Sequence, residues 1–213
     1  YDTLTYHGRM HQDIGRLVNA HFYDNILKIA TERQQADLNY PSFDPNDPYQ
    51  TMISNKRVCF IPVREIDDAS VSDKTNDAEA EIAVSLSIAL LDIYKANNLL
   101  FDPQKTLGII TPYRNQIALI RKKLEETGIA ELSDIMIDTV ERYQGSQRDV
   151  IILSFCFNKP YQLKNFCSMN REGTVDRKLN VALTRAREQL FLIGNDYILH
   201  QHPIYRKILQ HIT

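Results

Sequence analysis

The sequence predicts an α/β domain built on a largely parallel sheet, and three observations predict it. Short apolar runs recur at 57–63, 107–111, 135–140, 150–155 and 190–194, each bounded by turn or polar residues as buried strands are. Between most of them, apolar residues recur at helical spacing. The run LGIIT at 107–111 is closed by Pro112 and followed at once by a helical pattern, which is one half of a parallel βα unit. With 213 residues and 43% apolar content the chain supports one good core, so a single domain over 1–213 is expected.

The elements follow in order. From His11, the apolar residues Ile14, Leu17, Val18, Phe22, Ile26 and Leu27 predict a helix running to about Ala30. Residues 31–56 are polar and carry Pro41, Pro45 and Pro48, so an irregular connection is expected. RVCFIPV at 57–63 reads as a strand and the acidic, Ser-rich stretch 64–75 as a loop. Asn76 with Glu79 three residues on marks the start of a helix to Ala96, whose buried stripe is Ile82, Leu86, Ala89, Leu90 and Ile93. A further helix is expected from Tyr113 to Glu126.

The apolar runs 135–140 and 150–155 flank a polar segment centred on Gly145. Residues 156–178 read as a polar loop with Lys159, Lys164, Arg171, Arg177 and Lys178, either a solvated face or part of a phosphate groove. LNVALTRAR at 179–187 reads as a helix: Leu179, Ala182, Leu183 and Ala186 share one face, with Arg185 and Arg187 beside it. Two arginines there are either a solvated face or a site for an anion. The buried run LFLIG that follows at 190–194 puts them near a strand edge. An amphipathic helix over 198–213, with Ile204, Ile208, Leu209 and Ile212 on one side, closes the chain.

Composition excludes several classes. No apolar run approaches the ~20 residues of a membrane span, and no signal pattern opens the chain. The net charge of −2 provides no basic coat, so any nucleic-acid contact must be a local groove. Cys59, Cys156 and Cys167 are not spaced as metal ligands or as a disulfide set, and a reducing, cytoplasmic compartment is expected. His200, His202 and His211 form no metal pattern, and no metal site is expected. The chain opens at Tyr1 without Met, so it is expected to be a fragment of something longer.

Four stretches together resemble superfamily 1 helicases, in the group of the nonsense-mediated-decay helicase and senataxin. LNVALTRAR resembles the last signature motif of that family. HGRMHQ at 7–12 resembles its Gln-Tyr-Arg-Met-His-Pro, with Gly8 in place of the tyrosine and Gln12 in place of the proline. ITPYRNQ at 110–116 resembles Thr-Pro-Tyr-x-x-Gln. IMIDTVERYQGSQRDVIILSF at 135–155 resembles Val-Asp-x-Phe-Gln-Gly-x-x-x-Asp-x-Ile-Ile-Leu, with Tyr143 for the aromatic and Gln147 where relatives carry glutamate. The motifs span residues 4–197 in the family's order.

The resemblance implies a RecA-like fold, the second of two such domains, lacking its own P-loop: no G-x-x-x-x-G-K-S/T occurs. It implies the C-terminal motor half of an ATP-dependent helicase, an enzyme in the full-length protein and inactive as this fragment. It further implies that Arg185 and Arg9 contact the γ-phosphate of ATP. Gly145 and Gln147 would meet phosphate and ribose, with Arg187 nearby and Tyr6 as a substitute for the ring lost at Gly8. Asp149 is expected to be a structural residue. Thr111, with Pro112 and Tyr113, and Thr139 would contact a single strand of DNA or RNA. Mg²⁺ would be held by the preceding RecA-like domain. Two other readings stay open: a non-catalytic RecA-like scaffold, favoured by Gly8 and Gln147, and the motor part of a nuclease or restriction assembly.

Overall fold

The computed structural model describes residues 5–64 and 74–212. In chain order the elements are β1 (Tyr6–His7), α1 (Gln12–Phe22), β2 (Lys28–Ile29), a 3-10 turn (Glu32–Gln35), α2 (Pro48–Asn55), β3 (Val58–Pro62) and α3 (Asp77–Ala96). There follow β4 (Leu107–Ile110), α4 (Arg114–Glu126), α5 (Ala130–Ser133), β5 (Met136–Asp138), β6 (Arg148–Ser154), α6 (Pro160–Phe166), α7 (Arg177–Leu183), β7 (Ala186–Gly194), α8 (Asp196–Leu199) and α9 (Pro203–Ile212). The main sheet has five strands in the order β3-β7-β6-β4-β5, with parallel neighbours throughout. β1 and β2 form a separate parallel pair. The fold is the α/β one with a parallel sheet that the apolar runs predict, and it fits the RecA-like architecture that the resemblance implies.

The sheet is covered on both faces, which is why its strands read as unbroken apolar runs. Alternate residues go to opposite cores. Ile151, Leu153, Leu190 and Leu192 join α1, α7 and α9 on one face. Val150, Ile152, Phe191 and Ile193 join α3 and α4 on the other. No helix among the described residues is long and apolar enough to cross a membrane. All three cysteines are thiols, and burial, then the Asp176 carboxylate, pushes Cys167 up to about 12.

Several boundaries differ from the sequence reading. The helix expected from His11 to Ala30 stops at Phe22, because Asp24 and Asn25 take positive φ (48° and 59°) and turn the chain into β2. Residues 31–56 are not irregular throughout. Gln34 closes a 3-10 turn, and Asp47 caps α2 by accepting from the amides of Tyr49 and Gln50. The polar loop 156–178 contains α6, started by Pro160. The closing segment is two helices, α8 and α9, rather than one. The expected loop at 64–75 lies mostly outside the described residues.

The most consequential difference is at 179–187. The helix ends at Leu183 with Thr184 as its cap, and Ala186 already belongs to β7. A buried alanine satisfies either period, so the apolar spacing alone did not separate helix from strand. Arg187 therefore sits on a strand, and only Arg185 lies in the junction.

Gly108 is where the sheet tolerates no side chain. Tyr143 packs beneath it, fully buried, and donates from Oη to the carbonyl of Met136 at 2.6 Å. A Cβ at residue 108 would lie 2.3 Å from Tyr143 Oη and 2.9 Å from Arg148 Cγ. Gly108→Ala is expected to destabilise the domain by about 1–3 kcal/mol. Urea unfolding checks this, with the midpoint falling and the slope unchanged. An unmoved midpoint would contradict the packing described.

Candidate nucleotide and nucleic-acid edges

The predicted residues divide between the two ends of the sheet. Arg185, Gly145 and Gln147 precede β7 and β6 and so lie at the amino ends of those strands. Thr111, Pro112, Tyr113 and Thr139 follow β4 and β5, at the carboxyl ends. The seven residues of β6, at ~3.3 Å each, set the two groups roughly 20 Å apart.

At the amino edge, α7 delivers Arg185. Asp176 caps this helix, accepting from the amides of Lys178 and Leu179. The backbone of Arg185 enters the sheet at once, its carbonyl accepting from the Arg148 amide at 3.1 Å. Its guanidinium donates to the Val181 carbonyl (3.0 Å), the Ser146 carbonyl (3.3 Å) and Thr184 Oγ1 (3.3 Å). Only 9% of the residue is exposed. Arg9, from the far end of the chain, comes to the same place and donates to the Thr184 carbonyl at 3.3 Å. Burial, and then the charge of Arg9, lower the pKa of Arg185.

The two guanidiniums thus adjoin, and among the described residues neither forms an ion pair with a carboxylate. Their neighbours behave differently. Arg187 pairs with Asp149 at 3.4 Å, and Arg57 pairs with Glu188 at 2.9 Å while also donating to the Ala36 carbonyl. Arg33 reaches the same Glu188 at 3.5 Å. Burial raises the pKa of Asp149 and Arg187 opposes it. Asp149 is a structural partner here, and Arg187 is committed to it. Two adjoining cations without acids carry a local excess of positive charge, which suits the oxygens of a polyphosphate.

The loop beside them fits a close-approaching ligand. Gly145 has φ +87°, and a Cβ there would meet nothing within 4 Å. Gln147 is exposed. Tyr6 is 56% exposed on β1. Gly8 has no positive φ, and its Cβ would meet only Ala30 at 4.0 Å, so neither backbone nor crowding demands a glycine there. Among the described residues no group of three His, Cys, Asp or Glu side chains could hold a metal ion. The donors at this edge, two guanidiniums and the Gly145 turn, suit the oxygens of phosphate groups.

Histidines pack behind Arg9. The Gln34 amide nitrogen bridges the ring of His7 (3.1 Å) and the Met10 carbonyl (2.7 Å). The His11 amide donates to the Arg187 carbonyl at 2.6 Å. Burial first, and then Arg9 for His7 and Arg57 for His11, lower both imidazole pKa values. Burial likewise lowers those of His21 and His202. These groups prefer to be neutral when folded, so the unfolded chain binds more protons as pH falls through the ordinary histidine value near 6.5. The urea midpoint of this chain is therefore expected to drop between pH 7.5 and 5.5. A flat or rising midpoint in that window would count against the buried imidazoles.

At the carboxyl edge, Thr111 is fully buried. Its amide donates to the Asp138 carbonyl at 3.2 Å, and its Oγ1 has no hydrogen-bond partner among the described residues. Pro112, Tyr113 and Thr139 are half-buried. The Thr139 amide donates to its neighbour Asp138 Oδ1 at 2.8 Å.

Behind this turn runs a buried polar network that the sequence did not announce. The Gln116 side chain accepts from the Asn76 amide (2.8 Å) and donates to the Asn76 carbonyl (2.9 Å). Glu79 Oε2 accepts from Ser154 Oγ (2.7 Å) and the Cys156 amide (2.8 Å). Asn76 Oδ1 accepts from the Glu79 amide as expected of a cap, but the Glu79 side chain serves the strand end instead of returning to Asn76. Gln162 Nε2 donates to Tyr113 Oη at 3.3 Å.

A family model described as an AAA domain matches residues 1–197. The chain is 28% identical over 226 residues to the DNA replication ATP-dependent helicase/nuclease DNA2 of Bos taurus, a match that covers 99% of this chain and 18% of that protein. It is 28% identical over 211 residues to the regulator of nonsense transcripts 1 homolog of Neurospora crassa, covering 95% of this chain and 17% of the relative. Among solved structures, the C-terminal domain of a possible DNA helicase from Lactobacillus plantarum is similar at 14% identity and a TM-score of 0.48, covering 94% of this chain and 93% of that one. The chain spans less than a fifth of the length of these two curated relatives.

Proposed function

The chain belongs to the AAA domain family, as the C-terminal RecA-like region of superfamily 1 helicases, and on that premise we propose that it is the C-terminal motor half of an ATP-dependent nucleic-acid helicase. One observation carries the reading. Arg9 and Arg185, 176 residues apart in the chain, adjoin at one edge of the sheet, and neither has a carboxylate partner among the described residues. Such a pair is suited to the triphosphate of a nucleotide held mainly by the preceding domain.

In this reading Arg185 and Arg9 stabilise the charge that builds on the transferring phosphoryl group. ATP supplies the transferable phosphoryl group. Arg185 is oriented before the nucleotide arrives, since three hydrogen bonds fix its guanidinium. Gly145 lets backbone approach the phosphates, and the exposed Gln147 amide is placed to bond a ribose hydroxyl. Arg187 acts at one remove, as the Asp149-held wall of the site, and Tyr6 offers a ring for the base. Mg²⁺ is left to the preceding domain, and this chain alone is expected to hydrolyse no ATP. Pro112, Tyr113 and Thr139, around the buried Thr111, form the edge that grips a single strand. Closing and opening of the cleft between domains then moves that grip. Three thiols without a disulfide fit a reducing, cytoplasmic setting.

ATP turnover by the full-length protein, measured with and without single-stranded DNA and RNA, tests the reading. Stimulation by at least one of them is expected. A rate that neither strand changes would overturn it. One second reading has support: the printed name of the Bos taurus relative joins helicase to nuclease, so this motor half would then serve a nuclease in the same chain.

A further inference from the structure

The Thr111–Tyr113 turn is one of several that open on the same side. Because all neighbouring strands are parallel, every carboxyl end faces one edge, in the order β3-β7-β6-β4-β5. The turns after β6 and β7 lead into the short helices α6 and α8. Each carries an exposed tyrosine with a basic side chain three residues on. On α6 these are Tyr161, 48% exposed, and Lys164; on α8 they are Tyr197, 74% exposed, and His200 at its cap. Residues three apart share a helix face, so ring and basic group stand together in both places. α6 packs against α8, and Gln162 ties α6 to Tyr113. Tyr113, Tyr161 and Tyr197 thus follow β4, β6 and β7, three neighbouring strands of the sheet.

Among the described residues of this edge, two acids are already paired. Asp196 is held by Arg64 at 2.9 Å, and Glu141 by Lys178 at 2.9 Å. Arg114 directly follows Tyr113, Lys164 lies three residues after Tyr161, and both are exposed. Exposed aromatic faces interleaved with cations suit a chain of stackable, phosphate-linked bases. They suit a purely apolar partner poorly.

We propose that Tyr161 and Tyr197 are stacking sites for successive bases of a single-stranded nucleic acid, extending its path from the Thr111–Tyr113 turn across the carboxyl ends of β6 and β7. The inference rests on the strand-gripping role given to that edge above. Stacking reads the π-face of a base and not its identity, so the extended path is tolerant of sequence.

The test uses the full-length protein and two labelled probes, a thymidine deoxyoligonucleotide and a uridine oligoribonucleotide, at one fixed salt concentration. Tyr161→Ala and Tyr197→Ala are each expected to weaken binding of the preferred probe about tenfold. Tyr161→Phe and Tyr197→Phe should stay within about twofold of the parent, since a phenyl ring stacks as a phenol does. Both side chains are exposed, so truncation spares the core, and Leu100→Ala, at a residue 86% exposed, serves as the control that leaves binding intact. Alanine variants within twofold of the parent, or phenylalanine variants as weak as alanine, would overturn the stacking sites while the strand-gripping edge survives. A parent protein that binds neither probe would bring down both.

Discussion

Replacing Arg185 by alanine in the full-length protein is expected to lower strand-stimulated ATP turnover by about 10³-fold or more. The size follows from preorganisation. The guanidinium is fixed by Val181, Ser146 and Thr184, stands beside Arg9, and pairs with no acid among the described residues. On the proposed reading it would meet developing charge without rearranging, which is where a fixed cation is worth most. Arg185→Lys should recover little, because a point charge cannot hold the three-way fork that orients the group. Strand binding should persist, since Thr111 and Thr139 lie at the other end of the sheet. The measurement is turnover at saturating strand alongside strand affinity. Parent-level turnover in Arg185→Ala would remove the residue from the chemistry.

The second large effect is on stability. Asp176 is fully buried and serves two elements at once. Its Oδ1 accepts from the amides of Ser168 (3.1 Å), Lys178 (3.0 Å) and Leu179 (3.3 Å), and its Oδ2 accepts from Tyr205 Oη at 2.8 Å. Asp176→Ala removes a helix cap and strands several buried donors. A cap is worth about 1 kcal/mol and each stranded buried donor about 1–3. A loss of about 3 kcal/mol or more is expected, or roughly 6–12 °C in Tm for a chain of this size. Tyr205→Phe removes the bond to Asp176 and the weak one that Tyr205 Oη accepts from Cys167 Sγ at 3.9 Å, and should cost about 1 kcal/mol. Thermal unfolding of the two variants checks the ranking, and an Asp176→Ala melting point equal to the parent's would contradict the account. Because α7 carries Arg185 at its end, Asp176→Ala should also blunt turnover, although the carboxylate lies outside the reacting groups.

Much of the fold was legible because burial on both faces writes strands as apolar runs. The runs at 57–63, 107–111, 135–140, 150–155 and 190–194 correspond to β3, β4, β5, β6 and β7. What escaped was decided by local chemistry or by distance in sequence. α2 depends on the Asp47 cap and Pro48 within a proline-bearing polar stretch, so composition hid it. Ala186 fits helix and strand alike, so the α7–β7 junction was misread. Helical spacing alone treats Arg185 and Arg187 as equals, and the family resemblance singles out Arg185 without a physical reason. Only the Asp149 contact separates a committed cation from an available one. The network of Asn76, Glu79, Gln116 and Ser154 unites residues from three separate stretches, none of which alone announces a buried polar centre.

The carbonyl of Arg185 is bonded to the Arg148 amide, so this residue is stitched into the ladder between two central strands. It has no loop on which to swing. Its reach is that of a peg in a plank: whatever brings it to a phosphate must carry the whole slab. In an intact motor, timing would then belong to the joint between the halves. A wedge a few ångströms thick lodged there would silence turnover with every side chain at both edges unaltered.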